Sequence, residues 1–203
     1  MKPNLDIRKW DDYTAFGISA IFSPYIMAVF FIVLLTYNYA DDLSQFLPWV
    51  LTFLIFGTII PGFYVLWLIE AGKIRDIHIP ELKERRIPFL IAGISSVVGA
   101  VLLMSLGAAK AVIVMAVTYS VNALVVALIT QYWKISIHMT MLTSIITVAV
   151  IVFGPVYAWF YFLLVPLAWS RVHRKKHTLL QVTVGAVLSF LLTGLVFWGY
   201  GYF

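Results

Sequence analysis

From Val112 to Gln131 the chain runs twenty residues without a single charged side chain. A helix of that length covers the roughly 30 Å of hydrocarbon in a bilayer. The pattern recurs along the sequence. Apolar runs from Tyr13 to Tyr37, Phe46 to Ile69, Pro88 to Leu106, Val112 to Gln131 and Thr178 to Trp198 are separated by short polar segments. Two shorter runs, about His138 to Phe153 and Val156 to Trp169, meet at Gly154-Pro155, a turn signal. Sixteen α-helical residues reach only about 24 Å, so this hairpin barely crosses and its polar ends lie at headgroup level. The expected fold is an all-α bundle of about seven transmembrane spans, or six, forming one membrane domain over residues 1–203.

Composition agrees. The chain is 63% hydrophobic and 11% charged, against about half and a quarter in soluble domains. Without cysteine, disulfides, zinc–thiolate sites and thiol chemistry are excluded. The apolar run after Asp12 is too long for a signal-peptide core and is read as a retained helix. A formal charge of +5 is read as topology and lipid-headgroup attraction, with membrane lipids as partners and no nucleic acid. All seven tryptophans, Trp49 included, fall near expected helix ends, as an interfacial aromatic belt requires.

Thirteen of the fourteen Lys and Arg residues fall on one side of a seven-span arrangement, with Lys110 alone opposite. The positive-inside rule places that side, with the N-terminus, in the cytoplasm, and the expected location is the cell membrane. Parity then matters. The Glu70–Arg86 loop, the Lys134–His138 segment and the Ser170–His177 loop are separated by two spans each, so all three polar clusters face one side.

Together these clusters supply cations and two imidazoles. Arg171 offers a planar fork matched to phosphate oxygens. His177 can act as nucleophile or proton carrier. Gln181, one helical turn on, can fix its tautomer, although Thr178-Leu-Leu-Gln181 also reads as a capping box. His138 starts a helix, and Lys83, Arg85 and Arg86 add charge before Pro88. His173 and His78 are read as surface residues. This is equipment for phosphoryl transfer without a metal.

These residues resemble the signature of the type-2 phosphatidic acid phosphatase superfamily. Its third motif is Ser-Arg, five residues, His, three residues, Asp; here it is Ser170-Arg171, five residues, His177, three residues, Gln181. Its second, Pro-Ser-Gly-His, corresponds to Ile135-Ser136-Ile137-His138. Its first, Lys, six residues, Arg-Pro, corresponds to Arg85-Arg86-Ile87-Pro88 with Lys83 nearby. The likeness covers roughly Lys83 to Gly185, about half the chain, and implies a phosphatase-like core over about residues 83–198. It departs at Gln181 (the amide is similar to that in glucose-6-phosphatase and dolichyl diphosphatase sequences), at the second motif's Pro and Gly, and at the inserted Ile87.

The resemblance implies a metal-independent, cofactor-free lipid phosphatase acting on a phosphatidate-type lipid phosphate or an isoprenyl diphosphate. His177 would form a phosphohistidine, Gln181 would orient it, and His138 would be the proton carrier. Arg171, Arg86, Arg85, Lys83, Ser136 and Ser170 would hold phosphate oxygens. Two other readings stand beside it: a degenerate member or transporter that binds lipid phosphates without turnover, and an intramembrane prenyltransferase using Asp76 and Glu81.

Overall fold

A computed structural model describes residues 7–74 and 84–203. Those residues form helices and turns, with no strand among them. Lys83 and the loop residues Asp76, His78 and Glu81 lie outside the described residues. The helices are α1 (Ile7–Ile21), α2 (Pro24–Tyr39), α3 (Leu43–Leu54), α4 (Ile60–Glu70), α5 (Arg86–Ser105), α6 (Lys110–Ile129), α7 (Ile137–Phe153), α8 (Leu164–His173) and α9 (Leu179–Gly199). By length and composition four continuous helices can cross a membrane: Leu43–Glu70, α5, α6 and α9. A fifth crossing arises if α1 and α2, bent by 41°, form one broken span. This is fewer than seven because α7 is short and the segment after it is not a regular α-helix.

The sequence explains each irregularity. Pro24 opens α2 and lacks the N–H that would continue α1's ladder, so the chain bends there. Asp42 caps α3, its side chain accepting from the Ser44 and Gln45 backbone N–H groups. Between α3 and α4 the helix widens to a π turn over Ile55–Ile59. Pro61 has no N–H for the Gly57 carbonyl, and the Ser95 hydroxyl of α5 donates to the neighbouring Phe56 carbonyl at 2.7 Å. After α7 the chain turns at Gly154, φ +113°. It then winds as a 3-10 helix through Pro155–Leu163 before α8.

α7 is the central helix, with eleven of its seventeen residues buried. Ile145 and Val148 join Phe31, Leu35, Trp49, Phe53, Val112, Met115 and Phe197 in the main core. Trp49 is 5% exposed and its indole N–H donates to the Leu106 carbonyl at 3.4 Å. It is therefore a core residue rather than part of an interfacial belt. Trp10, Trp67, Trp159, Trp169 and Trp198 are exposed. Large apolar side chains such as Phe30, Phe63 and Leu195 cover the outside of the bundle, the surface a lipid solvent requires.

Small and hydroxylated residues seal α7 to α9. The Ser189 hydroxyl donates to the Thr140 carbonyl at 2.7 Å, and Ser144 and Thr193 share a 3.0 Å hydrogen bond. Gly185 lies on the same face, one helical turn before Ser189. A methyl group there would sit 3.1 Å from the Ser136 carbonyl. Such close backbone approach is how helices associate where apolar burial offers little drive. It sets the separation of the two helix starts that carry His138 and His177.

Candidate active site

The first turn of α9 is built around Thr178 and Gln181. Thr178 caps the helix, its hydroxyl accepting from the Gln181 N–H at 3.3 Å, while Gln181 Oε1 accepts the Thr178 N–H at 3.2 Å. The same Oε1 lies 3.2 Å from His177 Nδ1. An amide oxygen only accepts, so Nδ1 carries the hydrogen and Nε2 bears the lone pair. Capping and orienting thus coexist in one side chain.

His177 is 7% exposed. Burial, and then the cations Arg171, Arg85 and Lys134, push its imidazole down to about 3, against a small upward pull from Gln181. At neutral pH the ring is uncharged, as a nitrogen nucleophile must be.

A cavity of about 110 Å³ opens beside this ring. It gathers His177 with Arg171 from α8, His138 from the start of α7 and Arg85 from the start of α5. Its other wall is apolar and includes Ala28, Val65, Phe89 and Ala92. The space suits a small anionic group attached to an apolar chain. Arg85 is 4% exposed and donates to the Ile135 carbonyl at 3.3 Å. Burial lowers its guanidinium to about 10, which leaves it cationic. Arg171 Nε is buried with no hydrogen-bond partner among the described residues. The unpartnered Arg171 Nε and the Arg85 guanidinium border one small space whose described lining residues include no carboxylate, a setting that suits an anion.

Several predicted ligands sit elsewhere. Arg86 is exposed and does not line the cavity: one step along the helix separates it from Arg85, and that step turns it outward. Ser170 is fully buried. Its hydroxyl lies 2.6 Å from the Ala15 carbonyl and 2.6 Å from Ser19 Oγ, so it braces the protein instead of facing the cavity. Ser136 is also fully buried. Its hydroxyl has no partner, and its N–H donates to the Gln181 carbonyl at 3.4 Å, tying the second motif to the third. His173 is no idle surface residue: Nε2 lies 2.9 Å from Asp12 and the ring stacks on Trp169.

Sequence reasoning missed four contributors. Lys134 adds its charge to the field at His177, and Tyr25 and Tyr119 line the cavity. Ser19 accepts a hydrogen bond from Arg171 at 3.2 Å. Only Lys134 had a signal, its place four residues before His138.

No family model matches the chain, and no curated protein or solved structure matches it.

Proposed function

We propose that the protein is an integral membrane lipid phosphatase of the type-2 phosphatidic acid phosphatase kind. The reading is supported chiefly by one observation: the His177–Gln181 pair borders a cavity that also holds His138, Arg85 and Arg171.

In this mechanism Arg85 and Arg171 bind the equatorial oxygens of the terminal phosphate. His177 Nε2 donates its lone pair to phosphorus while the bond to the leaving oxygen breaks. His138, protonated, gives its proton to that oxygen. A water then yields a proton to His138 and attacks phosphorus. The P–N bond breaks, its electrons return to the His177 imidazole, and phosphate leaves. Gln181 holds Nδ1–H throughout, so Nε2 faces the reaction. The bound phosphate's negative charge offsets Arg85 and Arg171. The covalent step therefore occurs in a milder field than the empty site presents to His177.

The apolar half of the cavity supports a lipid leaving group. In this reading the fold has seven crossings, with α1–α2 and α3–α4 as one each, and α7 and the segment Pro155–His173 as the fifth and sixth. The site lies at headgroup level on the cytoplasmic face of the cell membrane, where the positive-inside rule puts most Lys and Arg.

A second reading has one observation in its favour. Neither Ser136 nor Ser170 lines the cavity, as in a protein that binds a lipid phosphate without hydrolysing it. One experiment separates the two: phosphate release by purified protein from phosphatidate and polyprenyl diphosphate, with EDTA present. The expected result is release by the wild type and none by His177→Ala. Equal release by both proteins would sink the phosphohistidine mechanism, and binding of the lipid without release would establish the second reading.

A further inference from the structure

Arg171 is held by a helix that lies outside the resemblance. α1 packs along α8 and brings Ser19, 3% exposed, to the guanidinium. The hydroxyl hydrogens in this contact can all be assigned. The Ser170 hydroxyl gives its one hydrogen to the Ala15 carbonyl at 2.6 Å. At the 2.6 Å contact with Ser19 it must then accept, so the Ser19 hydrogen points to Ser170. Only a lone pair of Ser19 is left for Arg171, whose Nη1 donates to it at 3.2 Å. The chain runs one way, from guanidinium to Ser19 to Ser170 to a backbone carbonyl. Because it is buried, no water can substitute without a cavity opening.

With one Nη1 hydrogen given to Ser19, the opposite edge of Arg171, Nε–H and Nη2, has no partner at Nε among the described residues. That edge is one of the two forks through which arginine binds an oxyanion bidentately. Arginine carries a large rotamer entropy, and a fork pinned at its third nitrogen has less to lose on binding.

We infer that Ser19 is the positioning residue for Arg171, and that α1 serves to fix the orientation of this arginine toward an oxyanion. The inference deepens the phosphatase reading and rests on it. It also gives the N-terminal helix a purpose that neither its apolar character nor the motif positions provide. Ser19 does not line the cavity and does not touch the substrate.

The test compares wild type, Ser19→Ala, Ser19→Thr, Arg171→Ala and the double variant Ser19→Ala/Arg171→Ala in detergent. Inorganic phosphate affinity is read from thermal shift and KM and kcat from phosphatidate hydrolysis. Losing one hydrogen bond to a charged group predicts phosphate affinity weaker by about tenfold in Ser19→Ala, with the change appearing in KM. Ser19→Thr, which restores the hydroxyl, should come within about twofold of wild type. Adding Ser19→Ala to Arg171→Ala should cost no further affinity, since the arginine it positions is gone. If Ser19→Ala does not fold, Ser19→Cys, of like size and a weak acceptor, replaces it and should fall between wild type and Arg171→Ala. Wild-type affinity in Ser19→Ala, or additive losses in the double variant, would overturn the inference while leaving the phosphatase reading intact. A wild type that neither binds phosphate nor releases it would overturn the phosphatase reading, and this inference with it.

Discussion

Replacing Gln181 with Glu tests the electrostatics of the site with almost no change of shape. Glu keeps the side-chain length, so its carboxylate still accepts the Thr178 N–H and completes the capping box. What changes is one charge next to His177 Nδ1, at the 3.2 Å separation now held by the amide. Charge centres roughly 4 Å apart attract by about 4 kcal/mol at an effective dielectric of 20. Each pKa unit corresponds to about 1.4 kcal/mol. The carboxylate should therefore raise the His177 imidazole from about 3 to about 6. The shift can be read by NMR on protein labelled at its four histidines, with His177→Gln identifying the resonance. A second consequence is kinetic. The free wild-type protein keeps His177 neutral down to about pH 3, so in the proposed mechanism that residue imposes no loss of kcat/KM at pH 5. Gln181→Glu should lose activity below about pH 6, because the nucleophile is then protonated. If the His177 titration moves by less than one pKa unit, the hydrogen-bonded pair and the dry surroundings assigned to it are wrong.

Two further predictions concern stability. His177 titrates lower in the folded protein than its ordinary 6.5, so between those values the unfolded chain binds more protons. Its contribution is fully present above pH 6.5 and is lost as the pH falls toward 3. Melting in detergent should accordingly decline from pH 7 to pH 4, with a shallower slope in His177→Gln; equal slopes would refute the assignment. Gly185→Val places branched carbon where even one methyl lies 3.1 Å from a backbone carbonyl. It should cost about 1–3 kcal/mol, read as a lower melting temperature. It should also lower hydrolysis, because the separation of α7 and α9 sets the spacing of the two histidines. An unchanged melting temperature would mean that the helices are not in contact there.

The ends of α5, α6, α7 and α9 were legible because each is marked in the chain itself. Pro88, Gly107, Ser136, Gly154 and Thr178 are turn, cap or helix-start residues beside long apolar runs. The convergence of Arg85, His138, Arg171 and His177 on one cavity is expected from a seven-span count that assigns each loop to a side, whereas length and composition carry four or five crossings among the described residues. The choice between Arg85 and Arg86 was not legible, because motif spacing carries no helical phase, and phase decides which of two adjacent side chains turns inward. Trp49 misled because a belt residue and a core residue near a helix end read alike in sequence. The Ser19–Arg171 contact joins residues 152 positions apart and leaves no local mark, since a serine in an apolar helix is unremarkable. Nor does the aromatic run Pro155–Leu163 announce its winding, as both its one proline and its apolar content also suit an α-helix start.

That winding acts as a ruler. A 3-10 helix advances about 2.0 Å per residue and an α-helix about 1.5 Å. The nine residues Pro155–Leu163 therefore carry the chain about 4.5 Å farther than the same residues would in α-helical form. The segment through His173 then spans about 33 Å, against about 26 Å for α7. The extra reach brings Arg171 level with Ser19 of α1 and with the cavity that His138 and His177 line. Rewinding the stretch as α-helix would withdraw the guanidinium toward the middle of the bundle by more than the length of a hydrogen bond. The height of Arg171 relative to His138 and His177 is thus set by how tightly a remote stretch of backbone is coiled.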